Sequence, residues 1–123
     1  IQTKTTPDII SKSVYNASKE KYISAILVPT STGYTARMIA RFRPECPIIA
    51  ITDSQQTKRQ LNAVWGVTPL LTKRIKEEEV EENSIFIALH EGLIKSGDTV
   101  IITAGMGSSS GGSTNMMRIE RVK

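Results

Sequence analysis

In 123 residues the chain has one cysteine, one histidine, one tryptophan, three tyrosines and two phenylalanines. One cysteine rules out a disulfide framework within the chain and fits a reducing compartment, so a cytoplasmic location is expected. Cys46 stands between Glu45 and Pro47 at the entry to an apolar run, with no evident partner to activate its thiol. A buried structural role is expected of it. His90 lies between Leu89 and Glu91 in a stretch that reads as helix, and a helix-surface role is expected rather than that of a general base. Aromatics at 5% are too few for a base-stacking surface, which argues against a nucleic-acid partner. No apolar run approaches the roughly 18 residues of a membrane span, and no stretch reads as a signal peptide. No spacing of Cys, His, Asp and Glu suggests a metal site. Neither a membrane partner nor a metal cofactor is expected of this chain.

What is present is ordinary globular composition, 39% hydrophobic and 23% charged. The length suits a single domain over residues 1–123, with one real core. The net charge of +4 is scattered, without a long basic run, and suits an anionic small ligand. The chain begins at Ile1 and not at Met, as expected of an excised segment, a processed chain or a truncated one.

Helical and strand patterns alternate. Thr6, Pro7 and Asp8 form a helix start, and Ile9, Ile10, Val14 and Ala17 follow at helical spacing. Residues 24–28 read as a strand with apolar character on both faces, and residues 36–42 as a helix ending before Pro44. Residues 47–52 read as the next strand. Asp53 and Ser54 can each cap a helix running through Leu61 and Val64, which Gly66 breaks. Residues 67–71 form a short strand. An acidic run at residues 77–82, interrupted by Val80, opens a helix through Leu93, and acids in a first turn are stabilised by the helix dipole. Lys95, Ser96, Gly97 and Asp98 form a turn, residues 99–103 a strand, residues 104–115 a loop of Gly and Ser, and residues 116–122 a last strand with alternating polar residues. The pattern predicts an α/β fold: a three-layer open sheet of about five mostly parallel strands, helices on both faces, and the last strand antiparallel at an edge.

Residues 30–35 (Thr30, Ser31, Thr32, Gly33, Tyr34, Thr35) fall between the first strand and the following helix. Four Ser/Thr hydroxyls and a glycine at such a turn suit a phosphate ester, with Arg37 and Arg41 adding charge nearby. The same residues also suit plain helix capping. No Gly-Lys-Ser/Thr closes the segment and it holds one glycine, so it is neither a Walker loop nor a dinucleotide fingerprint. If the first and fourth strands run parallel, the Gly/Ser loop shares this rim, and its backbone N–H groups can ring an anion.

An ordered set of short blocks carries a family resemblance: Pro29, the hydroxyl segment 30–35, Ala36 and Arg37; then Arg41-Phe42-Arg43-Pro44; Cys46-Pro47-Ile48-Ile49-Ala50-Ile51-Thr52; Trp65-Gly66-Val67-Thr68-Pro69; Lys95-Ser96-Gly97-Asp98-Thr99-Val100; and Gly112-Ser113-Thr114-Asn115. In this order and spacing the chain resembles the C-terminal α/β domain of pyruvate kinase over nearly its whole length.

The resemblance implies more than spacing does. Whole pyruvate kinases move a phosphoryl group from phosphoenolpyruvate to ADP in glycolysis, with Mg²⁺ or Mn²⁺ and K⁺, in a barrel and a lid domain that have no match here. The resemblance therefore implies no catalytic residue in this chain. It implies instead a regulatory module that binds a phosphorylated effector and contacts a neighbouring subunit. The phosphate would lie on Thr30, Ser31, Thr32, Gly33, Tyr34 and Thr35, with charge from Arg37. Gly105, Gly107, Ser108, Ser109, Ser110, Gly111, Gly112 and Ser113 would close over the ligand. Pairing of last strands across a two-fold axis would give a homo-oligomer. In the family's fructose-bisphosphate-activated eukaryotic members, a Trp and an Arg before and within the helix matching residues 77–93 hold a second phosphate. That stretch here is acidic and has neither. The expected ligand is therefore a monophosphate, such as ribose 5-phosphate, AMP or glucose 6-phosphate, or a phosphate or sulfate anion. The other reading is an oligomerisation or interaction module whose phosphate turn is vestigial.

Overall fold

The apolar runs of the sequence become the middle of one five-stranded sheet. The computed structural model describes residues 6–73, 79–104 and 116–123. In chain order the elements are α1 (Thr6–Ser18), β1 (Ile23–Pro29), α2 (Tyr34–Ala40), β2 (Ile48–Thr52), α3 (Gln55–Leu61), β3 (Val67–Leu71), α4 (Val80–His90), β4 (Thr99–Ala104) and β5 (Met116–Arg121). The strand order is β3-β2-β1-β4-β5. β1 pairs in parallel with β2 and β4, and β2 with β3. β5 runs antiparallel to β4 at the edge, with Ile101 opposite Ile119. This is the expected mostly parallel α/β architecture.

Side-chain alternation along the strands separates two cores. Ile26, Val28, Ile48, Ala50, Val67 and Ile101 face α1, α2 and α3 through Val14, Ala36, Ile39 and Leu61. Ala25, Leu27, Ile49, Ile51, Val100 and Ile102 face α4 through Ala88, with Ile94 and Val122 completing that side. Burial on both faces explains the continuous apolar character of β1 and β2, since neither strand has a solvent side to keep polar. At the edge the covering thins, and Ile119 is half exposed although it shares the face of Ile101.

Three helices differ from expectation at their ends. The helix expected to run through Leu61 and Val64 stops at Leu61, where the N–H groups of Ala63 and Val64 bond the carbonyls of Gln60 and Leu61 in a turn. The helix expected over residues 36–42 starts two residues earlier, because Gly33 takes a left-handed conformation (φ 83°) and turns the chain into α2 at once. Phe42 and Arg43 then fall in the turn beyond the helix, closed by N–H bonds to the carbonyls of Ile39 and Ala40. The helix expected to run through Leu93 ends at His90. Gly92 (φ 75°) reverses the backbone, its N–H bonds the Leu89 carbonyl, and the Leu93 N–H bonds the Ala88 carbonyl, which satisfies the last carbonyls of α4. The part of the acidic run before Glu79 lies outside the described residues. Of the two capping candidates for α3, Ser54 does the work: its Oγ accepts the Thr57 N–H at 3.1 Å. Asp98 closes its own turn, accepting the Lys95 N–H at 2.9 Å.

Candidate functional site

The strand order makes one place in the sheet distinctive. From β1 the chain steps outward to β2 and β3, then crosses back to β4 on the other side of β1. The carboxyl ends of β1 and β4 therefore flank the topological switch point, where open α/β sheets leave a crevice for ligands. The hydroxyl-rich turn follows β1 directly. The segment holding Gly105, Gly107 and residues 108–113 follows β4 in sequence and lies outside the described residues.

The turn is built by its own hydroxyls and by β2. The Thr30 N–H continues the ladder onto the Ile51 carbonyl at 2.9 Å. Thr30 Oγ1 accepts the Gly33 N–H at 2.9 Å, and Thr32 Oγ1 accepts the Tyr34 N–H at 3.3 Å. The capping reading is thus realised for Thr30 and Thr32. It does not exhaust them, because a hydroxyl that accepts a backbone N–H keeps its own proton to donate. Ser31, Thr32 and Tyr34 are exposed, Thr30 is half-buried, and Gly33 is buried. The early start of α2 puts Thr35 inside the helix, where it is 6% exposed. Arg37, one turn into α2, reaches back so that its guanidinium donates to the Thr32 carbonyl at 3.3 Å. The structure thus brings Thr30, Ser31, Thr32, Gly33 and Arg37 together around one exposed turn, with Thr35 behind it.

Sequence reasoning missed the residues that hold this turn from below. Thr57 of α3 is buried, and its Oγ1 donates to the Ser31 carbonyl at 2.8 Å. Leu61, one helical turn further along α3, packs under Gly33 so closely that a Cβ there would lie 3.1 Å from Leu61 Cδ2. The available signal was a threonine four residues before a leucine on an otherwise polar helix, which puts both on one face.

The other singled-out residues stand apart from the turn. His90 is exposed on α4, stacked 6.3 Å from Phe86 and 3.5 Å from the carboxylate of Glu91. Cys46 is half-buried, and burial pushes its thiol above its ordinary range against the opposing effect of a bond to Ser18. The Arg43 guanidinium lies over the exposed Trp65 ring at 5.1 Å. Among the described residues, no group of three or more His, Cys, Asp and Glu lies close enough to hold a metal ion. No described helix is long and apolar enough to cross a membrane.

A mostly parallel open sheet with helices on both faces and a hydroxyl turn at its switch point defines an α/β domain of the doubly wound kind. The family model for the pyruvate kinase alpha/beta domain matches residues 8–120. The chain belongs to that family. It is 35% identical to a pyruvate kinase of Clostridium acetobutylicum over 99% of its length, covering 26% of that protein. It is 38% identical to one of Lactobacillus delbrueckii subsp. bulgaricus, over 92% of the chain and 19% of the relative. It is 40% identical to one of Staphylococcus aureus, over 92% of the chain and 20% of the relative. The chain thus spans about a quarter or less of the length of the curated relatives it matches.

Proposed function

We propose that this chain is the regulatory domain of a cytoplasmic pyruvate kinase, the enzyme that converts phosphoenolpyruvate and ADP to pyruvate and ATP. In this reading the domain binds a phosphorylated effector and is not catalytic by itself. One observation carries it: in a chain of this family, an exposed hydroxyl turn follows β1 at the switch point, and Arg37 leans over it. Thr30, Ser31 and Thr32 would donate hydroxyl protons to the phosphate oxygens. Arg37 supplies the charge that a phosphate ester needs. The Gly/Ser segment after β4 would close over the rest of the ligand. An effector that binds one arrangement of domain and neighbouring subunit better than another shifts the enzyme toward it by that difference in affinity. At the start of α4 Glu81 and Glu82 are acidic and the guanidinium that reaches them, Arg118, is paired with Glu81, which favours a monophosphate over a bisphosphate.

Calorimetric titration of the chain with ribose 5-phosphate, AMP, glucose 6-phosphate, fructose 1,6-bisphosphate and inorganic phosphate tests this. Saturable binding of one monophosphate, lost in Thr32→Ala, is the expected result. A folded chain that binds none of them sinks the effector reading. The second reading, an oligomer contact through the last strand, is favoured by the position of β5 at the sheet edge and by the half-exposed Ile119 on it. Analytical ultracentrifugation of the wild type against Ile119→Lys decides that point.

A further inference from the structure

We propose that Thr57 is the positioning residue of the phosphate turn: its buried hydroxyl fixes the Ser31 carbonyl, and through it the direction in which Ser31 and Thr32 present their side chains. This rests on the ligand-binding reading of the turn given above. Thr57 sits on a different element and 26 residues along the chain from Ser31, yet its Oγ1 donates to the Ser31 carbonyl at 2.8 Å. Thr57 is itself held rigidly. Its N–H is bound by the Ser54 cap, and the Ser54 N–H is bound by Thr52 Oγ1 at the end of β2. The hydroxyl therefore comes from a fixed point. A second anchor lies beside it, the bond of the Thr30 N–H to the Ile51 carbonyl of β2. Both anchors come from the β2 and α3 side of β1, while β4 and the switch point lie on the other side. The turn is thus gripped from the side away from the crevice and presents its exposed residues without a ligand having to organise them. Sites held in this way by a supporting shell lose less freedom on binding.

The hydroxyl and the methyl of Thr57 have separable tasks. The methyl Cγ2 lines the space beneath Gly33, where an added Cβ would lie 3.3 Å from it. Thr57→Val keeps the shape and removes the donor; Thr57→Ser keeps the donor and removes the methyl. Backbone amide resonances of Ser31, Thr32 and Gly33 are recorded by NMR for the ligand-free wild type and both variants, followed by titration with inorganic phosphate and ribose 5-phosphate. The expected result is that Thr57→Val shifts the three turn resonances and leaves those of Ile26 and Ile101 in place. It should weaken whichever probe binds the wild type by roughly three- to tenfold, the loss of one buried hydrogen bond. Thr57→Ser should stay close to wild type in both readouts. The proposal is overturned if Thr57→Val leaves the turn resonances unchanged, or if Thr57→Ser moves them as far as Thr57→Val does, which would assign the role to packing. If neither probe binds the wild type, the ligand reading fails, and the free-state resonances still decide whether Thr57 sets the turn.

Discussion

Gly33 lies tightly against Leu61: a Cβ at Gly33 would stand 3.1 Å from Leu61 Cδ2 and 3.3 Å from its Cγ, so Leu61 would have to give by a few tenths of an ångström. The glycine also has φ 83°, a left-handed conformation that a side chain disfavours. Leu61 is fully buried in the core beneath it and cannot swing away freely. Gly33→Ala is therefore expected to destabilise the fold by about 1–3 kcal/mol, from backbone strain and overpacking together. It should also weaken phosphate-ester binding more than a stability loss explains, because the turn must move to accept the methyl. Urea denaturation alongside calorimetry checks this, and a variant as stable as wild type would show that the contact relaxes at no cost.

Ser11 offers a gain. Its Oγ is fully buried in α1 and has no hydrogen-bond partner among the described residues. A buried hydroxyl without a partner carries a desolvation cost, and serine forms helix less well than alanine. Ser11→Ala is expected to stabilise the chain by about 0.5–2 kcal/mol. A lower urea midpoint for the variant would mean that the hydroxyl has a partner in solution.

Much of the fold was legible because burial on both faces leaves a plain mark. The runs around Ile26, Ile49 and Ile101 are apolar without alternation, which suits covered strands and little else at that length. Strand order was not legible, since nothing in β4 says that it pairs with β1 rather than with β3. The candidate site divides in the same way. The hydroxyl turn could be read locally from Thr30, Thr32 and Gly33. The grip of Thr57 on Ser31 could not, because it joins residues far apart in the chain that only the packing of α3 beside β1 brings together. The start of α2 was misjudged for a local reason. The N-cap is Gly33, which enters the helix from a left-handed conformation and has no side chain to cap with, so the hydroxyl bonds come from Thr30 and Thr32 before it instead of from the cap position.

Cys46 carries a pH signature. Burial raises its thiol pKa, so near neutral pH the folded chain holds the thiol protonated more firmly than the unfolded chain does. The thiolate is the reactive form, so alkylation by iodoacetamide should be slower in the folded chain than in urea, and the gap should close as pH rises through the folded-state value. The sign for stability follows. The unfolded thiol ionises first, so this contribution to stability is complete below the unfolded pKa and is lost as pH climbs through the folded one. Equal alkylation rates in folded and unfolded chains across that range would contradict it.

Arg118 joins the edge strand to α4. Its guanidinium bonds Glu81 at the start of α4, and its Nε lies 2.8 Å from Glu120 on its own strand. Arg118 is more than half exposed, so solvent screens the pairing. A double-mutant cycle of Arg118→Ala and Glu81→Ala is expected to give a coupling of about 0.2–1 kcal/mol at low salt, falling toward zero in about 1 M NaCl. A coupling that survives high salt would indicate a tighter, desolvated clasp than the exposure implies.

Arg37 should separate charge from architecture. Its side chain is exposed and makes a long bond to the Thr32 carbonyl, so removing it opens no cavity and orphans no buried group. Arg37→Ala is expected to change stability by no more than about 0.5 kcal/mol, as surface substitutions usually do. Affinity for a phosphate ester should fall several-fold at low salt. The deficit should narrow as ionic strength rises, because a charge at an open turn acts through a screened field. Arg37→Lys should recover part of the affinity, since it keeps the charge but not the planar fork that bridges two phosphate oxygens. Binding that is indifferent to Arg37 would remove the charge from the proposed site and leave its hydroxyls and backbone alone to hold the anion. An Arg37→Ala chain that unfolds in lower urea than wild type would instead make this arginine part of the architecture of the turn.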